Sequence, residues 1–421
     1  MKKSIILIWI ILLEAIVMTY GQTKITLNDC RSKAREKYPL IKQKLDINKA
    51  RDKKIDSYNT VYYPQLSLNA QATYQSDVIE FPVKLPLVTF PVINKDSYKA
   101  TLDLTQVIWD GGAVTGQKNL EQKSAQADEE NIEVELYKIN DNINKLYFSV
   151  LLLDKNISIV EIYINDLSTK LKVIESAIAN GAMIATNADA IKVEILKLKQ
   201  QKAELAESRM ATIKTLSDYI ESDIPAESVF ELATTESNTA KINRPEYKYF
   251  DMQLEKLKAQ SDLTDVKLMP KIAGFFQYGY GRPGLNMLKN DFTTFYIAGL
   301  KFSWTPWNWN QSGLESEAIM AVADMVKIQK ETFDKNLTIN INRAMSEIKK
   351  YTEISSFDDE ILSLKTRIAK ASESQFLNGA MTSAEYLSDK NSELQALQNK
   401  ELHCLQLLKA KEDLNNLTGN N

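Results

Sequence analysis

Polar and apolar residues alternate one by one from Gln65 to Tyr74. Leu66, Leu68, Ala70, Ala72 and Tyr74 fall on one side, and Gln65, Ser67, Asn69, Gln71 and Thr73 on the other. A period of two is that of a β-strand, whose side chains point in turn to its two faces. Tyr98, Ala100, Leu102 and Leu104 alternate in the same way with Lys99, Thr101, Asp103 and Thr105. Ile272, Gly274, Phe276, Tyr278 and Tyr280, then Tyr296, Ala298, Leu300 and Phe302, repeat the apolar set later in the chain. Four strands in two hairpins, over 64–109 and 270–305, are predicted.

Elsewhere the period changes. Ile132, Leu136, Ile139, Ile143, Leu146, Val150, Leu153, Ile157, Val160, Ile164, Leu167, Leu171, Ile174 and Ile178 are spaced four and three residues apart in turn. This 3.5-residue repeat is a coiled-coil seam rather than a general amphipathic stripe. No glycine or proline lies between Gly116 and Gly181. The pattern predicts one helix over 113–179, roughly 100 Å long at the usual rise. A second long helix is predicted over 312–377. Leu337, Ile341, Ala344, Ile348 and Tyr351 share one phase of it, and Ile361, Leu364, Ile368 and Ala371 another. The three-residue slip between them, through Ile354 and Phe357, is a stammer that overwinds a coiled coil locally.

Both long helices run into the same four residues, Asn180-Gly181-Ala182-Met183 and Asn378-Gly379-Ala380-Met381, 198 positions apart. The same offset carries Trp109-Asp110 to Trp307-Asn308. Upstream the offset is 206: Pro39 maps to Pro245, and "YPQLSLNAQATY" (Tyr63–Tyr74) to "MPKIAGFFQYGY" (Met269–Tyr280). The difference falls within the proline-rich segment 77–96. Many agreeing positions with one gap indicate an internal duplication. The first repeat is 22–220, with a helix, the hairpin 64–109, the long helix 113–179, a turn at 180–185 and a return helix from about Asn187 to Tyr219. The second is 244–421, with a helix, the hairpin 270–305, the long helix 312–377, a turn at 378–383 and a return helix from about Glu385 to Leu417. A linker, 221–243, joins them. Asn-Gly supplies the left-handed geometry that ends a helix. Met183 and Met381 are expected to leave an adaptable apolar contact at each turn.

The strands read as membrane-spanning. Each has about the ~9–11 residues that cross a bilayer as a tilted strand. Trp109, Trp304, Trp307 and Trp309 cluster at strand ends, where an interfacial aromatic girdle belongs. Four strands do not close, and an open edge leaves backbone groups unsatisfied in lipid. Strands from other copies of the chain are therefore required.

Composition narrows the classes further. The chain has 421 residues, 25% charged, and a formal net charge of −3, which argues against a nucleic-acid partner. Lys2 and Lys3 precede an apolar run, Ile5–Leu13, and Thr19-Tyr20-Gly21. This predicts a secretory signal peptide over 1–21. No cysteine near the cleavage point offers a lipid anchor. Cys30 and Cys404 are expected to be unpaired, partly buried thiols, although an exported protein permits a disulfide. His403 is the only histidine. Beside Cys404 it reads as a helix-surface pair rather than a metal site. Hydrolase chemistry of the Ser/His/Asp or Cys/His kind would have to be built around it alone. No motif for a cofactor, ATP or a proton relay appears.

The chain resembles the TolC-like outer membrane efflux proteins over essentially its whole mature length. The likeness rests on the opening "ITLNDCRSKAREKYPLIK" (Ile25–Lys42), the strand start "YPQLSL", the strand exit "QVIWDGG" (Gln106–Gly112) and the glycine turns at Gly181 and Gly379. The resemblance implies a mainly α protein with β: a homotrimer whose hairpins form one twelve-stranded transmembrane barrel in outer membrane lipid. An α-helical coiled-coil tunnel continues it through the periplasm. The turns would dock onto a periplasmic adaptor protein linked to an inner-membrane pump, and the chain would be a passive duct with no enzyme activity. In the family an acidic residue soon after the turn glycine rings the closed tunnel end. Glu385 matches that position. The first copy has Asn187 there, with Asp189 two further on, so the pattern is not doubly acidic. Phe376 falls where the family places an aromatic that helps hold the tip closed. A solvated helix-face carboxylate is the plain alternative for Glu385. For the whole chain the alternative is a secreted coiled-coil scaffold or adhesin with soluble hairpins. The apolar segment 81–92 reads as the first external loop.

Overall fold

The computed structural model describes residues 24–79, 93–232 and 242–420. The expected signal peptide, the loop 81–92 and most of the linker's middle lie outside the described residues. Seven helices and six strands are present among those described: α1 (Leu27–Lys37), α2 (Lys42–Asn59), α3 (Ala113–Ala179), α4 (Ala185–Ile220), α5 (Pro245–Asp265), α6 (Gln311–Leu377) and α7 (Ser383–Thr418), with β1 (Lys24–Ile25), β2 (Gln65–Tyr74), β3 (Asp96–Trp109), β4 (Val229–Phe230), β5 (Lys271–Arg282) and β6 (Thr293–Ser303). α3 and α6 each have 67 residues, and α4 and α7 each have 36. No described helix is long and apolar enough to cross a membrane, which has no bearing on strands.

The chain divides into two compact units. One comprises 43–131 and 246–331. Its centre is a four-stranded antiparallel sheet in the order β2-β3-β5-β6, so β3 and β5 join the two hairpins and β2 and β6 are edges. Leu68 faces Leu102, Leu104 faces Phe276, and Phe276 faces Ala298 across the strands. The alternation read from the sequence is therefore in register across the four strands as far as Val107. Asp110 starts α3. Its carboxylate accepts from the Val114 N–H at 2.6 Å, the Gly112 N–H at 2.9 Å and the Tyr62 hydroxyl at 2.9 Å. A capping aspartate of this kind satisfies donors that the first helical turn leaves unpaired.

The other unit comprises residues up to 42, 132–245 and 332–421. Its core follows the α3 seam: Ile143, Val150, Val160, Leu167 and Ile174 are all at or near zero exposure. Ile191, Ile195 and Leu198 of α4, Phe376 of α6 and Tyr386 and Leu394 of α7 close the cluster. Charged pairs flank it, among them Lys202–Glu161, Lys192–Glu175 and Lys155–Glu401. The short parallel pair β1–β4 is pinned by Tyr147, whose hydroxyl lies 2.8 Å from the Ile25 carbonyl and 2.7 Å from the Glu231 carbonyl and shares its one proton between them.

The second seam is buried at Leu337 and Ala344, whereas Phe357, Ile361, Leu364 and Ile368 are exposed. Two expectations are corrected. Cys30 and Cys404 are both free, but Cys30 is fully buried and Cys404 exposed, on opposite sides of the expected half-burial. Burial pushes the Cys30 thiol up to about 12. His403 is not a simple surface residue. Its Nδ1 lies 2.9 Å from a carboxylate oxygen of the buried Asp358, next to the register slip in α6.

Candidate functional site

Two surfaces carry the residues of interest, the helical turns of one unit and the sheet faces of the other. The turns share one backbone. Gly181 has φ +75° and Gly379 φ +74°, the left-handed region. The Gly181 N–H donates to the Ile178 carbonyl at 2.9 Å and the Ala182 N–H to the Ala177 carbonyl at 2.8 Å. The second turn repeats this, with Gly379 to Phe376 at 3.0 Å and Ala380 to Gln375 at 2.8 Å. This is the Schellman pattern, which satisfies the last carbonyls of a helix. A Cβ on either glycine would meet nothing within 4 Å, so backbone geometry alone demands glycine.

Past the glycines the turns differ. α7 starts with a capping box: Thr382 Oγ1 accepts from the Glu385 N–H at 3.3 Å, and Glu385 Oε2 accepts from the Thr382 N–H at 3.0 Å. Those bonds to Thr382 hold the Glu385 carboxyl below its ordinary range. Glu385 is thus an exposed capping carboxylate. α4 starts at Ile184 with no side-chain cap, and only the Asn187 N–H closes onto the Ile184 carbonyl at 3.2 Å. Asn187 is half-buried and Asp189 exposed.

Asn180, Gly181, Ala182, Asn378, Gly379 and Ala380 are exposed. Met183 and Met381 are not: both pack, half-buried, on the helical core. The apolar exposed residue at the first turn is Ile184 instead, 67% exposed. A capping residue that is neither Ser, Thr, Asp nor Asn was the sequence signal for it. Phe376 is buried and stacks on Tyr386, with ring centroids 5.1 Å apart. Behind them Lys390 lies between Asp166 at 2.9 Å and Glu393 at 2.8 Å. Burial lowers the Lys390 ammonium, but its bonds to these two carboxylates outweigh that and raise it.

The sheet has two chemically distinct faces. One bears Leu66, Leu68, Tyr98, Leu102, Phe276, Tyr278, Tyr296 and Leu300, all exposed large apolar side chains. The other bears Ser67, Asn69, Lys99, Thr101, Asp103 and Gln277. Asp103 accepts from Asn69 at 2.7 Å and Thr101 at 2.8 Å, and from Gln277. Within the second hairpin this polar face also carries aromatics: Phe275 sits over Gly299 and Phe295 over Gly279, where a Cβ would collide with the ring. Trp109, Trp304, Trp307 and Trp309 are all exposed. Trp307 and Trp309 meet edge to face at 5.8 Å, and Trp304 Nε1 donates to the Leu268 carbonyl at 3.0 Å. Strict alternation would set Trp109 with the polar residues. A register shift between Val107 and Trp109 pairs it with Ile272 instead, on the apolar face.

Among the described residues no three His, Cys, Asp or Glu side chains gather to hold a metal ion. No family model matches the chain, and no curated protein matches its sequence. The fold is that of solved outer-membrane channel proteins. The outer membrane protein VceC from Vibrio cholerae superposes with a TM-score of 0.66 at 13% identity, over 93% of this chain and 96% of that one. The Campylobacter jejuni CmeC outer membrane channel gives 0.64 at 13%, over 94% and 85%. The open state of the Neisseria gonorrhoeae MtrE outer membrane channel gives 0.63 at 15%, over 93% and 88%.

Proposed function

We propose that this protein is an internally duplicated member of the TolC-like family and serves as a passive outer-membrane exit duct for efflux or type I secretion. Three copies close a twelve-stranded barrel in the outer membrane, and their helices form a periplasmic tunnel. A periplasmic adaptor engages the turns at 180–183 and 378–381 and couples them to an inner-membrane pump. Phe376 and Glu385, with Asn187 and Asp189, belong to the end that opens. Trp109, Trp304, Trp307 and Trp309 sit at the lipid interface.

One observation carries this reading: a four-stranded sheet, its two edges unpaired among the described residues, exposes an apolar face along its length. In water such a face and such edges drive aggregation. In lipid the face is satisfied, but the edges must pair, so the sheet must close with other copies. The shared fold with outer-membrane channels agrees with this.

The test is purification from membranes, with mass measured in detergent. A detergent-dependent trimer in the outer-membrane fraction is expected. A monomer stable in plain buffer overturns the reading. Gly379→Pro should abolish adaptor crosslinking and efflux while leaving the trimer intact; unchanged crosslinking and efflux would remove the turn from the docking surface.

A further inference from the structure

The polar face of the sheet is unevenly charged. Alternation and register assign to it Lys99 and Asp103 from β3, Lys271 from β5 and Lys301 from β6, and no charged residue from β2. The remaining strand charges, Asp96 and Arg282, pair with each other on the opposite face. One carboxylate therefore faces three ammonium groups.

The four groups are not equally available. The Asp103 carboxylate is engaged by Asn69, Thr101 and Gln277. Lys99 lies 3.4 Å from Gln277 Oε1 and 5.2 Å above the Phe295 ring. Lys271 and Lys301 are exposed and have no hydrogen bond or ion pair among the described residues. They are diagonal neighbours at one end of the second hairpin, since Lys271 pairs with Ser303 and Ala273 with Lys301. Two like charges this close repel unless an anion sits between them or water screens them. When a low-dielectric wall backs such a pair, the field is focused into the adjoining water.

We propose that Lys271 and Lys301 make this protein an anion-preferring conduit. The inference rests on the channel reading above and adds the sign of charge it favours. Copies closing a barrel would bring these lysines together as a basic ring, the side-chain arrangement that selects anions in pores. Asp103, one carboxylate against three ammonium groups, offsets only part of that charge. Because the lysines are solvent-exposed, salt screens them, and the preference should grow as ionic strength falls.

The test is ion selectivity of the full-length protein in planar lipid bilayers under a potassium chloride gradient. Wild type should favour chloride over potassium, more strongly at low salt. Lys271→Gln with Lys301→Gln should lower the chloride-to-potassium permeability ratio by about twofold or more. The single Lys301→Gln variant should lower it less, and it guards against misfolding of the double variant. A potassium-preferring wild type, or a ratio unchanged in both variants, overturns the anion preference and leaves the channel standing. A wild type that conducts no ion overturns the anion preference, while the detergent mass measurement above decides the channel reading separately.

Discussion

Phe376 lies flat against Tyr386, with planes 1° from parallel, and the two rings staple the end of α6 to the start of α7. Both are buried in the helical core, so the turn between them is held from beneath. Phe376→Ala should cost about 3–5 kcal/mol through lost contacts and the cavity left behind. Thermal unfolding and amide exchange near residues 376–386 check this. The Tyr386 hydroxyl is buried and has no hydrogen-bond partner among the described residues. Tyr386→Phe should therefore shift stability by about 1 kcal/mol or less, in the stabilising direction. A large loss would show that the hydroxyl is satisfied.

The buried Arg31 guanidinium joins α1 to two other helices. It lies 2.6 Å from Glu412 and donates to Asn144 Oδ1 at 2.6 and 3.1 Å. Removing one charge strands the other away from water. Arg31→Met or Glu412→Leu alone should each cost about 3–5 kcal/mol, and Arg31→Met with Glu412→Leu should recover most of it. Denaturant melts of the four proteins form the cycle. Additive losses would refute a coupled pair.

Asp110 gives a pH dependence. Burial raises its carboxyl, but the Val114 and Gly112 N–H groups and the Tyr62 hydroxyl outweigh this and hold it below the ordinary value. A depressed folded pKa contributes stability above the unfolded value, about 3.9 for aspartate. The contribution is lost as pH falls through the folded value. Asp110→Ala should cost about 0.5–2 kcal/mol near neutral pH. The gap between wild type and variant should narrow below about pH 4. A gap that stays constant in melts down to about pH 3 would mean Asp110 does not cap through its charged form.

The exposed stripe Phe357, Ile361, Leu364 and Ile368 on α6 should be covered in the proposed trimer. Leu364→Glu puts a charge into that seam and should shift the detergent-solubilised protein from trimer towards monomer. The chain's own core does not use this position, so its fold should survive. An unaffected trimer would place the stripe outside the subunit contact.

Much of this was legible in the sequence because periodicity is local. The heptads of α3 needed no tertiary information, and Ile143, Val150, Leu167 and Ile174 are buried as their spacing required. The alternation in β2 and β3 likewise fixed which side chains share a face. Asn-Gly named both turns because only a left-handed residue can end a helix in that way. Other features were hidden. Glu385 also caps α7 with Thr382, three positions back, a contact its acidity alone does not announce. Met183 and Met381 look like free apolar tips until α3, α4, α6 and α7 draw them onto a shared core.

By itself, then, the sequence determined the long helices, the four hairpin strands, their periods and the two faces of those strands as far as Val107, since these depend on neighbours a few residues apart. Tertiary structure alone decided the rest. It joined β3 to β5 into one sheet, and it slipped the register at Val107 so that Trp109 lies on the apolar side. It buried Leu337 and Ala344 of one α6 seam segment and left Ile361, Leu364 and Ile368 of the other bare. These outcomes depend on which distant segment arrives opposite, and no local pattern records that.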